Sequence, residues 1–122
     1  MEYISTRNKK KHFTFKDVFL KGLAPDGGLF VPKEIPFYSK QELENFKSLS
    51  YNELASKVIL NFCDDAFSEK EIKEIVDSSY KKFRVKDTVQ IKKLANINLL
   101  ELYHGPTLAF KDIAMQVIGN MY

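Results

Sequence analysis

Four short segments place a hydroxyl residue three positions ahead of a carboxylate: Thr14-Phe15-Lys16-Asp17, Ser39-Lys40-Gln41-Glu42, Ser50-Tyr51-Asn52-Glu53 and Ser68-Glu69-Lys70-Glu71. In such a box the hydroxyl accepts a first-turn N–H that has no partner inside the helix. The acid reaches back to the cap residue and favours the positive end of the helix dipole. The four boxes predict four helices, and any fold for this chain is built around them. Behind the third box, Tyr51, Leu54, Ala55, Val58, Ile59 and Phe62 follow the spacing of one helix face. Behind the fourth, Ile72, Ile75, Val76, Ser79, Tyr80 and Phe83 do the same, and both stripes read as core.

Short strands fill the gaps. Glu2-Tyr3-Ile4-Ser5-Thr6-Arg7 alternates and is rich in β-formers. The basic run Asn8-Lys9-Lys10-Lys11-His12 that follows reads as a solvated hairpin tip, since a nucleic-acid patch needs further cations on the same face. After the first helix, Gly22 suits a C-cap, Pro25-Asp26-Gly27-Gly28 a turn, and Leu29 to Val31 a strand stopped by Pro32. The glycine pair is no P-loop, because no Gly-Lys-Ser/Thr opens a helix after it. Beyond Phe83 the period changes. Thr88 to Lys92 and Ile97 to Tyr103 read as two strands around a turn at Ala95-Asn96, and a further helix has Phe110, Ala114, Val117 and Met121 along one side.

Composition sets bounds on this picture. With 44% hydrophobic residues and a net charge of +3, the 122-residue chain carries too much apolar surface and too little charge to remain disordered. No apolar run approaches the roughly 20 residues of a membrane span, and the start turns basic where a signal peptide turns apolar. A lone Cys63 forms no internal disulfide, and with two histidines there is no closed Cys/His zinc set, so a reducing, cytoplasmic setting and no metal are expected. Among Val58, Ile59, Leu60 and Phe62, Cys63 itself reads as a small buried hydrophobe. The expected class is α/β, mostly helical with a small sheet over residues 1–85, then a second unit beginning over residues 86–122.

Unusual residue types concentrate in His104-Gly105-Pro106-Thr107-Leu108-Ala109-Phe110-Lys111-Asp112, a strand-to-helix loop where backbone N–H groups can face a ligand. Lys111 follows three apolar residues, and an apolar pocket there lowers a lysine pKa from about 10.4 toward a nucleophilic range. An exposed lysine at a helix start is the commoner outcome. Thr107 reads as a helix cap whose hydroxyl can also face the site, His104 as a group that orients a substrate or, the favoured reading, satisfies a backbone carbonyl, and Asp112 as a complement to the helix dipole.

This loop, with Glu101-Leu102-Tyr103 before it and Ile113-Ala114-Met115-Gln116 after it, resembles the pyridoxal-phosphate lysine motif of the threonine synthase family. Tyr3-Ile4-Ser5-Thr6-Arg7 and the stretch from Gly22 to Pro32 are similar to the opening signature of the same family, at the expected spacing. The resemblance implies a fold-type II enzyme: an α+β amino-terminal domain over residues 1–85, then the first strands and helix of the cofactor domain. It implies that Lys111 forms the Schiff base with pyridoxal 5'-phosphate and serves as general acid and base, with Phe110 and Thr107 as further cofactor-binding candidates. The implied substrate is O-phospho-L-homoserine, converted with water to L-threonine and phosphate, with no nucleic acid or membrane as partner. The family's phosphate-cradling glycine-rich loop and ring-binding Ser/Thr-Gly motif do not follow Lys111, so the chain reads as an amino-terminal fragment, inactive alone. Two alternatives stand beside this reading: a related phospho-lyase that releases a keto acid, and a non-catalytic module whose basic turn and exposed helices recognise an acidic partner.

Overall fold

The structure, a computed structural model, describes residues 1–122. The chain runs β1 (Tyr3–Ser5), β2 (His12–Phe13), α1 (Phe15–Lys21), β3 (Phe30–Pro32), α2 (Lys40–Phe46), α3 (Tyr51–Cys63), α4 (Glu69–Tyr80), β4 (Gln90–Leu94), β5 (Ile97–Glu101) and α5 (Asp112–Met121). All four boxes form with both halves in place: Thr14, Ser39, Ser50 and Ser68 each accept the N–H of the acid three residues on, and that acid accepts the cap N–H in return. The helix α1 closes on Gly22 at φ 70°, and Gly27 in the following turn also has a positive φ of 75°.

The first three strands form an antiparallel sheet in the order β2-β1-β3, with Ile4 opposite both His12 and Val31. All of β1 is buried, and the Tyr3 hydroxyl donates to the carbonyl of Phe62, tying the sheet to the end of α3. The lysine run lies at the β1-β2 hairpin tip, where the Lys11 amine sits 5.3 Å from the centre of the Phe13 ring. One expectation is corrected here. Pro32 does not stop β3 but belongs to it, opposite Tyr3. Lys33 N–H donates to the Glu2 carbonyl at 2.9 Å, so the alternate Pro32 nitrogen faces away from β1, where a missing N–H on an edge strand costs no ladder bond.

The core joins α3, α4 and α5 through Cys63, Ile72, Val76, Tyr80 and Val117. The stripe on α4 is borne out, with Ile72, Val76, Ser79 and Tyr80 buried. On α3 the fully buried positions are Ser56 and Cys63, while the six stripe residues are half-buried. Small side chains let these helices come close, and each settles its own hydrogen on the carbonyl four residues back: Ser56 on Asn52 at 2.8 Å, Cys63 on Ile59 at 3.3 Å, Ser79 on Ile75 at 2.6 Å. Burial pushes the Cys63 thiol up to about 11, as expected of a packed rather than a reactive cysteine.

Helix α5 docks on α4 through the Tyr80 hydroxyl, which donates to the Ile113 carbonyl at 3.1 Å, and through Asn120, which donates to the Ser79 hydroxyl at 3.0 Å. Its core face carries Ile113, Val117 and Met121, whereas Ala114 and Phe110 are exposed. Val117 and Met121 of the expected face are borne out, while Ile113 takes the place expected of Ala114. The helix begins at Asp112, so Phe110 belongs to the turn before it. Likewise β4 starts two residues later than expected, because Thr88 is buried at φ 64° and breaks the extension. The β4-β5 turn is where it was expected, with Leu94 opposite Ile97 and a positive φ of 50° at Ala95, the first turn position. No helix is long and apolar enough to cross a membrane.

Candidate functional site

The loop between β5 and α5 is fastened at both ends by carboxylates. At its start Glu101 is buried, although the rest of the hairpin is exposed. The Lys92 amine lies 2.7 Å from its carboxylate and His104 Nε2 lies 2.9 Å from it. The Lys92 bond holds the Glu101 carboxyl down at about 2; burial works against this, and Tyr103 and His104 add to it. His104 was expected to meet a backbone carbonyl. It meets Glu101 instead, and its own carbonyl accepts the Arg84 N–H at 2.9 Å, anchoring the loop to the segment after α4.

At the far end Asp112 is 3% exposed and accepts twice from Thr107, from the N–H at Oδ2 and from the hydroxyl at Oδ1, both at 2.8 Å. Burial pushes the Asp112 carboxyl upward, but these bonds and the Ala109 backbone outweigh it and leave it below the ordinary carboxylate range. Thr107 is therefore not the cap of α5. Lys111 occupies that position, in helical conformation and without a side-chain cap, while the acid of the first turn reaches back to the threonine. The reversal follows from the loop's shape. Leu108 takes φ 61°, which folds Thr107 over the helix start, and a side chain at Gly105 would strike the Asp112 side chain.

Lys111 stands exposed at the end of this clasp, and its amine makes no hydrogen bond or salt bridge, not even with its neighbour Asp112. Phe110 beside it is 65% exposed and Leu108 53%. The structure thus brings Lys111, Phe110 and Thr107 onto one short turn. Sequence reasoning missed the parts played by Glu101 and Lys92. The available signal was a carboxylate closing a mostly aliphatic strand, three residues before a histidine. No cluster of three or more His, Cys, Asp or Glu side chains has the arrangement to hold a metal ion. A groove of about 730 Å³ along α2, α3 and α4, lined by Tyr38, Asn52, Ser56, Lys73 and Asp77, shares no residue with this loop.

Comparison with known proteins agrees along the whole length. The chain is 45% identical to threonine synthase of Schizosaccharomyces pombe, a match that covers 100% of this chain and 24% of that protein. It is 36% identical to threonine synthase-like 2 of Xenopus laevis, covering 99% of this chain and 26% of that one. The fold matches the crystal structure of pyridoxal-phosphate-bound threonine synthase from Brucella melitensis with a TM-score of 0.94 at 38% identity, over 99% of this chain and 26% of that chain. The chain therefore spans about a quarter of the length of these relatives. The family model described as threonine synthase N terminus matches residues 2–80. Running from β1 to the last residue of α4, that match takes in the sheet and most of the core, and the chain belongs to the threonine synthase N-terminus family.

Proposed function

We propose that this chain is the amino-terminal portion of a threonine synthase, which converts O-phospho-L-homoserine and water to L-threonine and phosphate with Lys111 as its cofactor-bonding lysine. The observation that carries the reading is the free amine of Lys111 on a loop fastened at both ends, in a chain matched over its full length by threonine synthases. That amine fits pyridoxal 5'-phosphate, since an aldehyde needs a lysine nitrogen not already engaged in an ion pair. When bound, the cofactor supplies an electron-withdrawing ring that makes the substrate α-proton acidic. Lys111 Nζ then takes the proton from Cα of the substrate and returns a proton later in the sequence. Loss of a further proton from Cβ would let phosphate leave Cγ with its bonding electrons; a proton taken up at Cγ, water added at Cβ and the proton returned by Lys111 to Cα would complete L-threonine. Phe110 offers an apolar wall, and Thr107, whose hydroxyl hydrogen is directed at Asp112, offers only acceptor lone pairs.

The end of the family match at residue 80 and the exposure of the β4-β5 hairpin support a boundary near residue 85, with residues 86–122 opening the cofactor domain. A single cysteine, Cys63, buried in the core and with no second cysteine to pair with, supports a cytoplasmic setting. The exposure of Lys111 supports the reading that these 122 residues alone do not turn over substrate.

Phosphate release from phosphohomoserine by the full-length protein, with the product identified, tests the proposal. Threonine is the expected product, and Lys111→Ala abolishes its formation. A keto acid as product gives the phospho-lyase reading instead. Undiminished turnover in Lys111→Ala overturns the lysine assignment, and absence of turnover together with unimpaired binding of an acidic partner gives the module reading.

A further inference from the structure

Lys111 owes its place to its neighbours on both sides. Its carbonyl accepts the Met115 N–H at 2.9 Å, which fixes the helix side. On the loop side, the side-chain tie between turn and helix is the pair of bonds from Thr107 to Asp112. Between them Leu108 sits at φ 61°, a conformation that costs energy for a residue with a side chain and persists only where surrounding contacts hold it. Gly105 leaves the space in which Asp112 approaches the loop. An acid in a first helical turn ordinarily lies exposed and serves the dipole; this one is buried, and its oxygens are directed to Thr107 rather than to the adjacent lysine.

We propose that Asp112 is a positioning residue for Lys111: by clasping Thr107 it holds the turn that aims the lysine amine, and it leaves that amine unpaired. The inference rests on Lys111 being the cofactor-bonding lysine. Asp112 is buried and its oxygens accept from Thr107, so it acts through the geometry of Thr107, Leu108 and Lys111.

The test uses the full-length protein freed of cofactor. Pyridoxal phosphate is added, the visible absorbance of the carbon–nitrogen linkage is followed, and borohydride reduction with peptide mapping identifies the bonded lysine. Wild type is expected to carry its label on Lys111; label elsewhere overturns the lysine assignment and this inference with it. With Lys111 labelled, Thr107→Val and Asp112→Ala are each expected to slow linkage about tenfold or more, as displacement of an aimed group does. Both are also expected to shift the absorbance maximum of the linkage, a signature that a general loss of stability does not move. Thr107→Ser restores the hydroxyl donor and with it rate and spectrum. Wild-type rate and spectrum in Asp112→Ala or in Thr107→Val, or failure of Thr107→Ser to restore them, overturns the positioning role while the Lys111 assignment stands. Should Asp112→Ala fail to fold, Asp112→Asn, which keeps the shape and one acceptor oxygen but loses one of the two Thr107 bonds, decides in its place by the same rate and spectrum.

Discussion

The helical cluster around Ile72 and Val76 and the β4-β5 hairpin are built from the same aliphatic residue types, yet they meet opposite surroundings. Ile72 and Val76 have no exposed surface at all, whereas Ile91 is 69% exposed and Ile97 64%. What differs is the neighbour. Helix α4 has α3 on one side and α5 on another, while the hairpin pairs only with itself. A two-stranded ribbon without a covering layer is marginal on its own, and this one is anchored by a polar contact at its base, Glu101 with Lys92 and His104. Apolar content therefore does not by itself say where stability resides. The packed cluster holds the covered apolar surface; the loop that carries Lys111 grows out of the part held by charges.

The contrast can be broken most severely at Lys111. If the proposed function holds, replacing it with Ala in the full-length protein is expected to take threonine formation to background, while denaturant unfolding of the 122-residue chain is expected to shift by less than about 0.5 kcal/mol, as for other exposed substitutions. Next in size, Ile72→Ala opens a cavity among α3, α4 and α5 and costs about 2–5 kcal/mol in urea unfolding. Ile91→Ala, the same kind of change on the hairpin, costs less than about 0.5 kcal/mol; equal costs at the two sites would remove the distinction between the regions. Ser50→Ala deletes the α3 cap and lowers the unfolding free energy by about 1 kcal/mol.

The smallest effect separates the regions by pH. Glu101 has a folded pKa of about 2, below its ordinary value, so its contribution is complete above about pH 4.5 and fades as pH falls toward 2. Amide exchange measured across that range is expected to show the hairpin and loop losing protection while the α4 amides keep theirs. Simultaneous loss in both would show that Glu101 does not hold the hairpin separately.

Much of this architecture was legible beforehand because its signals are local. A capping box needs only four consecutive residues, and all four boxes formed. The Ala95-Asn96 turn is equally local, as is the α4 stripe. The errors arose where distant chain decides. Pro32 joins a strand because β1 lies on only one side of it. On α5, Val117 and Met121 face the core as expected, but Ile113 stands in for Ala114, and Phe110, apolar and at the right spacing, lies before the helix begins. At the site, Lys111, Phe110 and Thr107 were picked out by resemblance, and the loop's strand-to-helix setting by pattern. The roles of Asp112 and Glu101 were not, since a carboxylate's partner is a matter of geometry rather than of residue type.

The sequence by itself determined where helices start, where the chain turns, and that a core could form along α3 and α4, because hydroxyl caps, glycine conformations and periodicity act within a few residues of backbone. Only the tertiary structure decided which apolar residues are covered and which carboxylates serve as fasteners. Burial requires a second element to arrive from far along the chain, as α5 arrives on α4. The same holds for a carboxylate that sinks below its ordinary pKa: Glu101 does so because pairing across the hairpin brings the Lys92 amine against it.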